Sequence, residues 1–353
     1  MDRLDPKKVF YHTEKLLELK KTGDTWPVHL QVGLTSHCNH KCIFCHGGHS
    51  VLEERNEVID LDILLNALRQ AKKHGLKAIT LVGNGEPLIY PRIKELLTAL
   101  YEMGLEIGIF TNGACLTEEL RKFVVKYCTF IRFSVNGGTA EDHEAVHQTK
   151  DFDFVVNNIR ELVRLKKEQG TALPTIGTQM VFYEVNYRGI HKAARLWREI
   201  GVDYFEIKPY VVTAFNLAEG IKPAQDAEAV EREMREAKAF ETDKFKVFAK
   251  YTMYKHTLSK PSERTYSKCL GQAFAGNILE DGGVYICPGM EDEEPLGNIN
   301  VQTFEEIWLG EKRKKILAEL DVKKCPTGCR FDLLNEILWD YIHPARENHP
   351  DFI

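Results

Sequence analysis

No stretch of this chain approaches the roughly 20 consecutive apolar residues that a membrane span requires, so a membrane-embedded protein is not expected. There is no low-complexity tract. There is no basic excess either, because 47 Lys and Arg stand against 52 Asp and Glu for a net charge of −5. Lys72-Lys73 and the run from Lys312 to Lys315 read as solvated helix faces, and neither a nucleic-acid surface nor an anionic-lipid surface is expected. Met1 to Thr22 is charged throughout and lacks the apolar stretch of a signal peptide, so the expected location is cytoplasmic. Cysteine, in contrast, is plentiful. Nine thiols in a cytoplasmic chain point to metal ligation or catalysis rather than disulfides.

Their placement is uneven: three at 38, 42 and 45, isolated ones at 115 and 128, and four at 269, 287, 325 and 329. The first group, Cys38-Asn39-His40-Lys41-Cys42-Ile43-Phe44-Cys45, puts three soft ligands in one short loop after a strand-like run, Val28 to Leu34. A closed structural site normally has four protein ligands, so three leave a coordination position open for a substrate or cofactor. Zinc is the alternative, with His37, His40 or His46 as fourth ligand, although a zinc knuckle favours CxxC pairs.

Around this loop the pattern alternates helix and strand. The lead-in, residues 1–27, reads as a cap helix ending at Gly23, and His29 to Leu34 as the first strand. Helices over 61–74, 91–103, from 117, over 154–168 and over 187–200 alternate with strands over 78–82, 106–110, 130–135, 175–182 and 204–208. Six strands alternating with helices predict a parallel sheet over residues 28–215, an α/β fold of the partial (β/α)6 barrel type. Residues 216–261 read as a helical linker without a motif, and residues 262–353 as a small second domain with a strand-turn-strand over 275–286 and a final helix over 332–341. In parallel sheets functional groups gather at the carboxyl ends of the strands. Those positions hold the three cysteines, Gly83-Asn84-Gly85-Glu86-Pro87, Thr111-Asn112-Gly113, Ser134, Asn136, Gly137, Gln179, Lys208 and Tyr210.

The CxxxCxxC loop, with Phe44 before its last cysteine, closely resembles the cluster loop of the radical S-adenosylmethionine (SAM) superfamily. That resemblance implies a TIM-like partial barrel, a 4Fe-4S cluster on Cys38, Cys42 and Cys45, and SAM chelating the fourth iron. It also implies reductive cleavage of SAM to a 5'-deoxyadenosyl radical. Gly83, Asn84, Gly85 and Glu86 resemble the family's GGE loop, with Asn84 where a second glycine usually stands. Ser134 and Asn136 match its Ser-x-Asp/Asn pattern, Phe44 is expected against adenine, and Gln179 completes the cofactor-binding set. Cys269, Cys287, Cys325 and Cys329 resemble the twitch subdomain, a shortened relative of the SPASM domain, which implies a second, auxiliary 4Fe-4S cluster. A zinc site has the same ligands.

The resemblance implies an oxidoreductase that abstracts hydrogen from a small polar substrate. A sugar, aminocyclitol or sugar nucleotide is expected, with dehydrogenation favoured over epimerisation or decarboxylation, and a flavodoxin or ferredoxin as reductant. Peptide modification is less favoured, since the lead-in has no room for a winged-helix domain, and a non-catalytic iron-sulfur carrier is the rival class. Lys208 is the candidate to anchor a phosphate or carboxylate or to take a proton; a salt-bridged rim lysine is the plainer reading. Cys115, like Cys128, reads first as a small buried hydrophobe, but its place beyond Thr111-Asn112-Gly113 makes it a candidate hydrogen donor for an epimerase. Gln31, Tyr183, Glu184 and Tyr210 are weaker candidates for the substrate wall.

Overall fold

The computed structural model describes residues 5–45, 55–210, 220–258, 264–287, 294–325 and 329–345. His46, the expected domain start at 262 and the Pro326-Thr327-Gly328 turn lie outside these residues. The lead-in is a short 3-10 turn, Pro6–Tyr11, followed by helix α1 (Thr13–Thr22), which Gly23 closes in the left-handed conformation at φ 79°. The alternating body then runs β1 (His29–Val32), α2 (Leu61–Lys73), β2 (Ala78–Leu81), α3 (Ile93–Glu102), β3 (Glu106–Thr111), α4 (Glu118–Tyr127) and β4 (Phe130–Ser134). It continues through α5 (Ala140–His147), α6 (Phe152–Glu168), β5 (Thr175–Phe182), α7 (Ile190–Ile200) and β6 (Tyr204–Pro209). Side chains at the helix starts satisfy the first free amides: Asp60 accepts from Asp62 and Ile63 at 2.9 Å, and Thr117 and Thr139 cap α4 and α5.

Strands β1 to β6 pair in parallel and in sequence order, as the alternation predicts. One face of the sheet is apolar. Leu30, Val32, Ile79, Leu81, Ile107, Ile109, Ile131, Phe133, Phe205 and Ile207 join the inner faces of α2, α3, α6 and α7 in a single core cluster. The opposite face carries Gln31, Phe110, Arg132, Ser134, Gln179, Glu206 and Lys208 and lines a lumen. Two glycines are required at its base: a Cβ on Gly108 would lie 2.2 Å from the Phe130 ring, and one on Gly177 would lie 2.1 Å from the Tyr204 ring.

The expectation of a helical linker is corrected here. The stretch read as a linker contains α8 (Ala227–Lys238), β7 (Lys246–Ala249) and α9 (Tyr251–Leu258), and β7 adds a seventh parallel strand against β6. Val247 is its one residue in the core, so four residues gave no alternating pattern to read. The C-terminal region joins the barrel through the sheet. Strands β8 (Ala275–Ile278), β9 (Gly283–Tyr285) and β10 (Gly297–Asn298) extend the same sheet, with β8 parallel to β1 in the register His29 to Ala275 through Val32 to Ile278. Helices α10 (Phe304–Leu309), α11 (Glu311–Glu319) and α12 (Asp332–Ile342) complete it. Among the described residues no helix is long and apolar enough to cross a membrane.

Trp308 on α10 ties the two ends of the chain together. It is 1% exposed, its Nε1–H donates to the Thr25 carbonyl at 3.0 Å, and its ring stacks on Phe304 with the Arg313 guanidinium over its face. Arg313, itself buried, pairs with Asp24 through Nη2 at 2.8 Å. Trp308→Ala is expected to cost about 3–5 kcal/mol, the scale of a buried aromatic truncation, read as a lowered denaturation midpoint.

Candidate iron-sulfur and cofactor site

The cysteine loop leaves β1 and is held on three sides by backbone. Lys41 N and Ile43 N donate to the carbonyls of His147 and Val146 at the end of α5, at 3.2 and 3.0 Å. Glu86 N donates to the His37 carbonyl at 2.8 Å, and Ser36 N to the Glu57 carbonyl at 2.9 Å. Gly85 packs so closely that a Cβ there would lie 2.3 Å from both the Thr35 and the His37 carbonyl oxygens, and a Cβ on Gly83 would lie 2.6 Å from the Gly33 Cα. The glycines in this motif admit the cysteine loop's own backbone.

Within the loop the three partly buried thiols lie close enough to act on one another by charge. Burial pushes the Cys38 thiol up to about 12, and the charges of Glu86 and Cys45 add to the rise. Cys42 is raised well above the ordinary range by burial and by the charges of Cys38 and Cys45. Thiolates crowded together away from water need a cation to stay ionised, so this donor set fits a metal centre. Asn112 reaches the loop from the end of β3, with Nδ2 2.8 Å from Asn39 Oδ1 and 3.9 Å from Cys38 Sγ. Beside Cys42, the buried Tyr183 hydroxyl has no hydrogen-bond partner among the described residues.

Several side chains expected to touch the cofactor have protein partners. Glu86 is 3% exposed and braces two loops: its carboxylate accepts from Thr111 Oγ1 at 2.6 Å, Asn112 N at 2.8 Å and Leu88 N at 3.0 Å. Burial raises its pKa against these donors. Asn84 Nδ2 donates to Glu280 at 2.8 Å, which gives the departure from the GGE pattern a structural role in binding the C-terminal region. Asn136 accepts from Val181 N at 2.6 Å and turns its amide to His147, while Gln179 donates to Glu206 at 2.7 Å. The Ser134 side chain faces the lumen, and Phe44 packs edge-on to Tyr183 at 6.1 Å in a small apolar cluster with Val146 and Tyr210.

Deeper in the lumen, Arg132 pairs with Glu206 at 3.0 Å and lies 3.4 Å over the Phe110 ring, with its Nε unpartnered. Lys250 reaches Glu206 at 4.0 Å, and Arg330 bonds Gln31 at 2.6 Å. Lys208 is not the salt-bridged rim lysine of the plainer reading, because its ammonium has no hydrogen bond or ion pair among the described residues. Its pKa is lowered by burial first, then by Arg132. Cys115 packs partly buried against the main core, its thiol pushed up to about 11, and Cys128 is fully enclosed there.

In the C-terminal region Cys269, Cys325 and Cys329 raise one another's pKa after burial, as neighbours in one site do. Cys287 follows β9 and, with Cys329, acts on Arg330 by its charge. Asn335 Nδ2 and Phe331 N each stand 3.5 Å from a sulfur, those of Cys269 and Cys329. These donors suit four thiolates closing a cluster.

Sequence reasoning missed helix α5 and what it carries. His143 and His147, with Asp151 beyond, form a buried network with His40 behind the cysteine loop. Thr139 followed by Glu141 and Asp142 is a helix start signal, but Ala140–His147 has one large aliphatic residue, Val146, and no apolar stripe.

A partly open parallel barrel with converging thiols at its first strand end and a second four-cysteine set defines a class of iron-sulfur protein. Residues 32–197 match the radical SAM superfamily, and residues 269–330 match SPASM, an iron-sulfur cluster-binding domain. The chain carries a radical SAM domain followed by a SPASM-type domain; these domains imply a SAM-binding 4Fe-4S cluster and an auxiliary iron-sulfur cluster.

Among curated proteins, the tungsten-containing aldehyde ferredoxin oxidoreductase cofactor-modifying protein of Pyrococcus furiosus is 30% identical over 177 residues, covering 50% of this chain and 49% of that one. A probable GTP 3',8-cyclase of Methanothermobacter marburgensis is 38% identical over 92 residues, 26% of this chain and 29% of that one. The chain thus spans about half or less of the curated relatives it matches. In solved structures the fold is that of Streptococcus suis SuiB, at TM-score 0.66 and 16% identity over 90% of this chain and 74% of that one. It is also that of anSMEcpe with bound AdoMet, at TM-score 0.61 and 16% identity over 93% of this chain and all of that one.

Anaerobic reconstitution is expected to load about eight irons per chain, falling to about four when Cys38, Cys42 and Cys45 are all Ala; zinc at the C-terminal cysteines would contradict this. Gly85→Ala is expected to cost about 1–3 kcal/mol from overpacking against two carbonyls and to lower iron retention at the first site, read by thermal unfolding and iron analysis.

Proposed function

We propose that this chain is a radical SAM enzyme whose substrate is a small polar molecule bearing an anionic group, held in the lumen by Lys208 with Arg132. The observation that carries this reading is Lys208: a partly buried ammonium without a hydrogen bond or ion pair among the described residues, near Arg132, Lys250 and Arg330, with Glu206 as the carboxylate that Arg132 and Lys250 share. Cations that outnumber the described carboxylates of a partly buried site are costly, and an anionic ligand relieves that cost. Arg132 Nε, without a partner among the described residues, offers a second donor. A phosphate-bearing sugar or nucleotide fits such a lumen better than a neutral sugar. A relative named for GTP and another named for modifying a cofactor support a small molecule over a peptide.

When bound, the clusters and SAM supply one-electron reductive cleavage of SAM and, with it, hydrogen-atom abstraction from the substrate. The chain's own residues do the rest. Cys38, Cys42 and Cys45 hold the first cluster with one position left for SAM, and the Tyr183 hydroxyl and the Ser134 hydroxyl are the polar groups offered to it. Lys208 and Arg132 fix the substrate from the opposite side of the lumen. Phe130 and Tyr204 plug its base and exclude water. Cys269, Cys287, Cys325 and Cys329 leave no open iron, which suits electron acceptance rather than substrate binding, so dehydrogenation is the favoured reaction and a flavodoxin or ferredoxin the reductant. Cys115 packs against the core, which weighs against epimerisation.

The test is 5'-deoxyadenosine formation by the reduced, reconstituted protein. Cys42→Ala is expected to abolish it. Sugar phosphates and nucleotides are expected to stimulate it where their neutral counterparts do not, and Lys208→Met should raise the half-maximal concentration roughly tenfold to a hundredfold, the scale of one charge-assisted contact of about 1.5–3 kcal/mol. Equal stimulation by neutral compounds would overturn the anionic substrate. For the reaction type, turnover in D2O decides: a dehydrogenase leaves no solvent deuterium at the reacting carbon, Cys115→Ala keeps product formation, and Cys287→Ala loses it.

A further inference from the structure

The ring of His147 is 1% exposed and lies directly behind the cysteine loop, with every nitrogen contact defined. Its Nε2 faces two donors: the backbone N–H of Asn136 at 3.3 Å and the Asn136 side-chain amide nitrogen at 3.1 Å. The orientation of that amide is fixed, because its Oδ1 accepts from Val181 N at 2.6 Å. Nε2 is therefore the acceptor, and the neutral ring carries its one proton on Nδ1. Nδ1 has two neighbours, His40 Nδ1 at 3.0 Å and Cys42 Sγ at 3.2 Å.

His40 fixes the direction of that proton. Its Nε2 lies 2.9 Å from Asp151 Oδ2, an acceptor-only carboxylate, so the His40 proton is on Nε2 and its Nδ1 presents a lone pair. A doubly protonated His40 would set its Nδ1–H against that of His147. His143 completes the arrangement: its Nε2 donates to Asp151 Oδ1 at 3.0 Å, and its ring stacks on that of His147 at 4.2 Å and 16°. The His147 Nδ1–H is thus a single proton between a neutral imidazole and a cysteine sulfur. A thiolate is much the stronger acceptor.

We infer that His147 donates a hydrogen bond from Nδ1 to the Cys42 thiolate, and that Asn136, His40 and Asp151 form a relay that fixes its tautomer, making His147 a positioning residue that raises the reduction potential of the SAM-binding cluster. Hydrogen bonds to cluster sulfurs stabilise the more negative, reduced state. Ligand atoms of His40, Cys42 and His147, and of His40, His143 and Asp151, lie within 4.8 Å of one another; in the second group both ring nitrogens address the carboxylate at hydrogen-bond length, as in a relay.

The inference rests on the iron-sulfur assignment, and iron content tests that assignment separately. The experiment is a redox titration of the reconstituted protein without SAM, followed by electron paramagnetic resonance, with added SAM used to identify the first cluster's signal. His147→Phe is expected to shift that cluster's midpoint to more negative potential and leave the auxiliary cluster's in place, while His147→Gln, which keeps an N–H donor, recovers part of the shift. An unchanged midpoint in a His147→Phe protein of full iron content would overturn the relay. Should that variant not hold its cluster, the wild-type protein with 15N-labelled histidine provides the reading. One histidine nitrogen coupled to the reduced first cluster is expected; absence of histidine coupling, or a zinc ion per chain lost in Asp151→Asn, would overturn it.

Discussion

A buried carboxylate with no counter-cation among the described residues holds the active end of this sheet together. Glu86 closes three hydrogen bonds, to Leu88 N, Thr111 Oγ1 and Asn112 N, and joins the loops after β2 and β3 into one piece. Asn112 is then held against Asn39 and near Cys38, while the Glu86 amide binds the His37 carbonyl. Because a buried acceptor left unsatisfied is costly, each of these donors is constrained by the others. The cysteine loop itself contains no regular secondary structure, so its shape is borrowed from this neighbour and from the end of α5.

The division of labour across the sheet follows from side-chain alternation. Residues pointing to the helices are apolar and fill one core, while those pointing to the lumen are mostly polar or charged. The lumen is polar, and among the described residues Glu206 is the carboxylate that pairs with Arg132 and Lys250 there.

The six central strands were legible because each gave a short apolar run bounded by a glycine or proline and separated by an amphipathic helix. The two cysteine sets stood out by spacing and number. Other features did not. Strand β7 places one residue in the core and offers no pattern, and α5 lacks an apolar stripe, so His143 and His147 went unread. The sequence marked Asn84, Glu86, Asn136 and Gln179 as polar groups at strand ends, but whether such a group faces a ligand or a neighbour depends on partners such as Glu280, Thr111 and Glu206, distant in sequence. A family pattern identifies the position; the hydrogen-bond ledger identifies what the side chain does there.

The pairing of β8 with β1 has a consequence for how the two cysteine sets relate. Four consecutive residues of each strand are in register, and the first set follows β1 while Cys269 and Cys287 of the second lie before β8 and after β9. The main-chain ladder therefore acts as a ruler between these parts of the two cysteine sets. It also shields a strand edge. A chain lacking its C-terminal region would expose the N–H and C=O groups of β1 directly beside the cysteine loop, a template for pairing with other chains, so the auxiliary region is bound to the barrel by solubility as well as by chemistry.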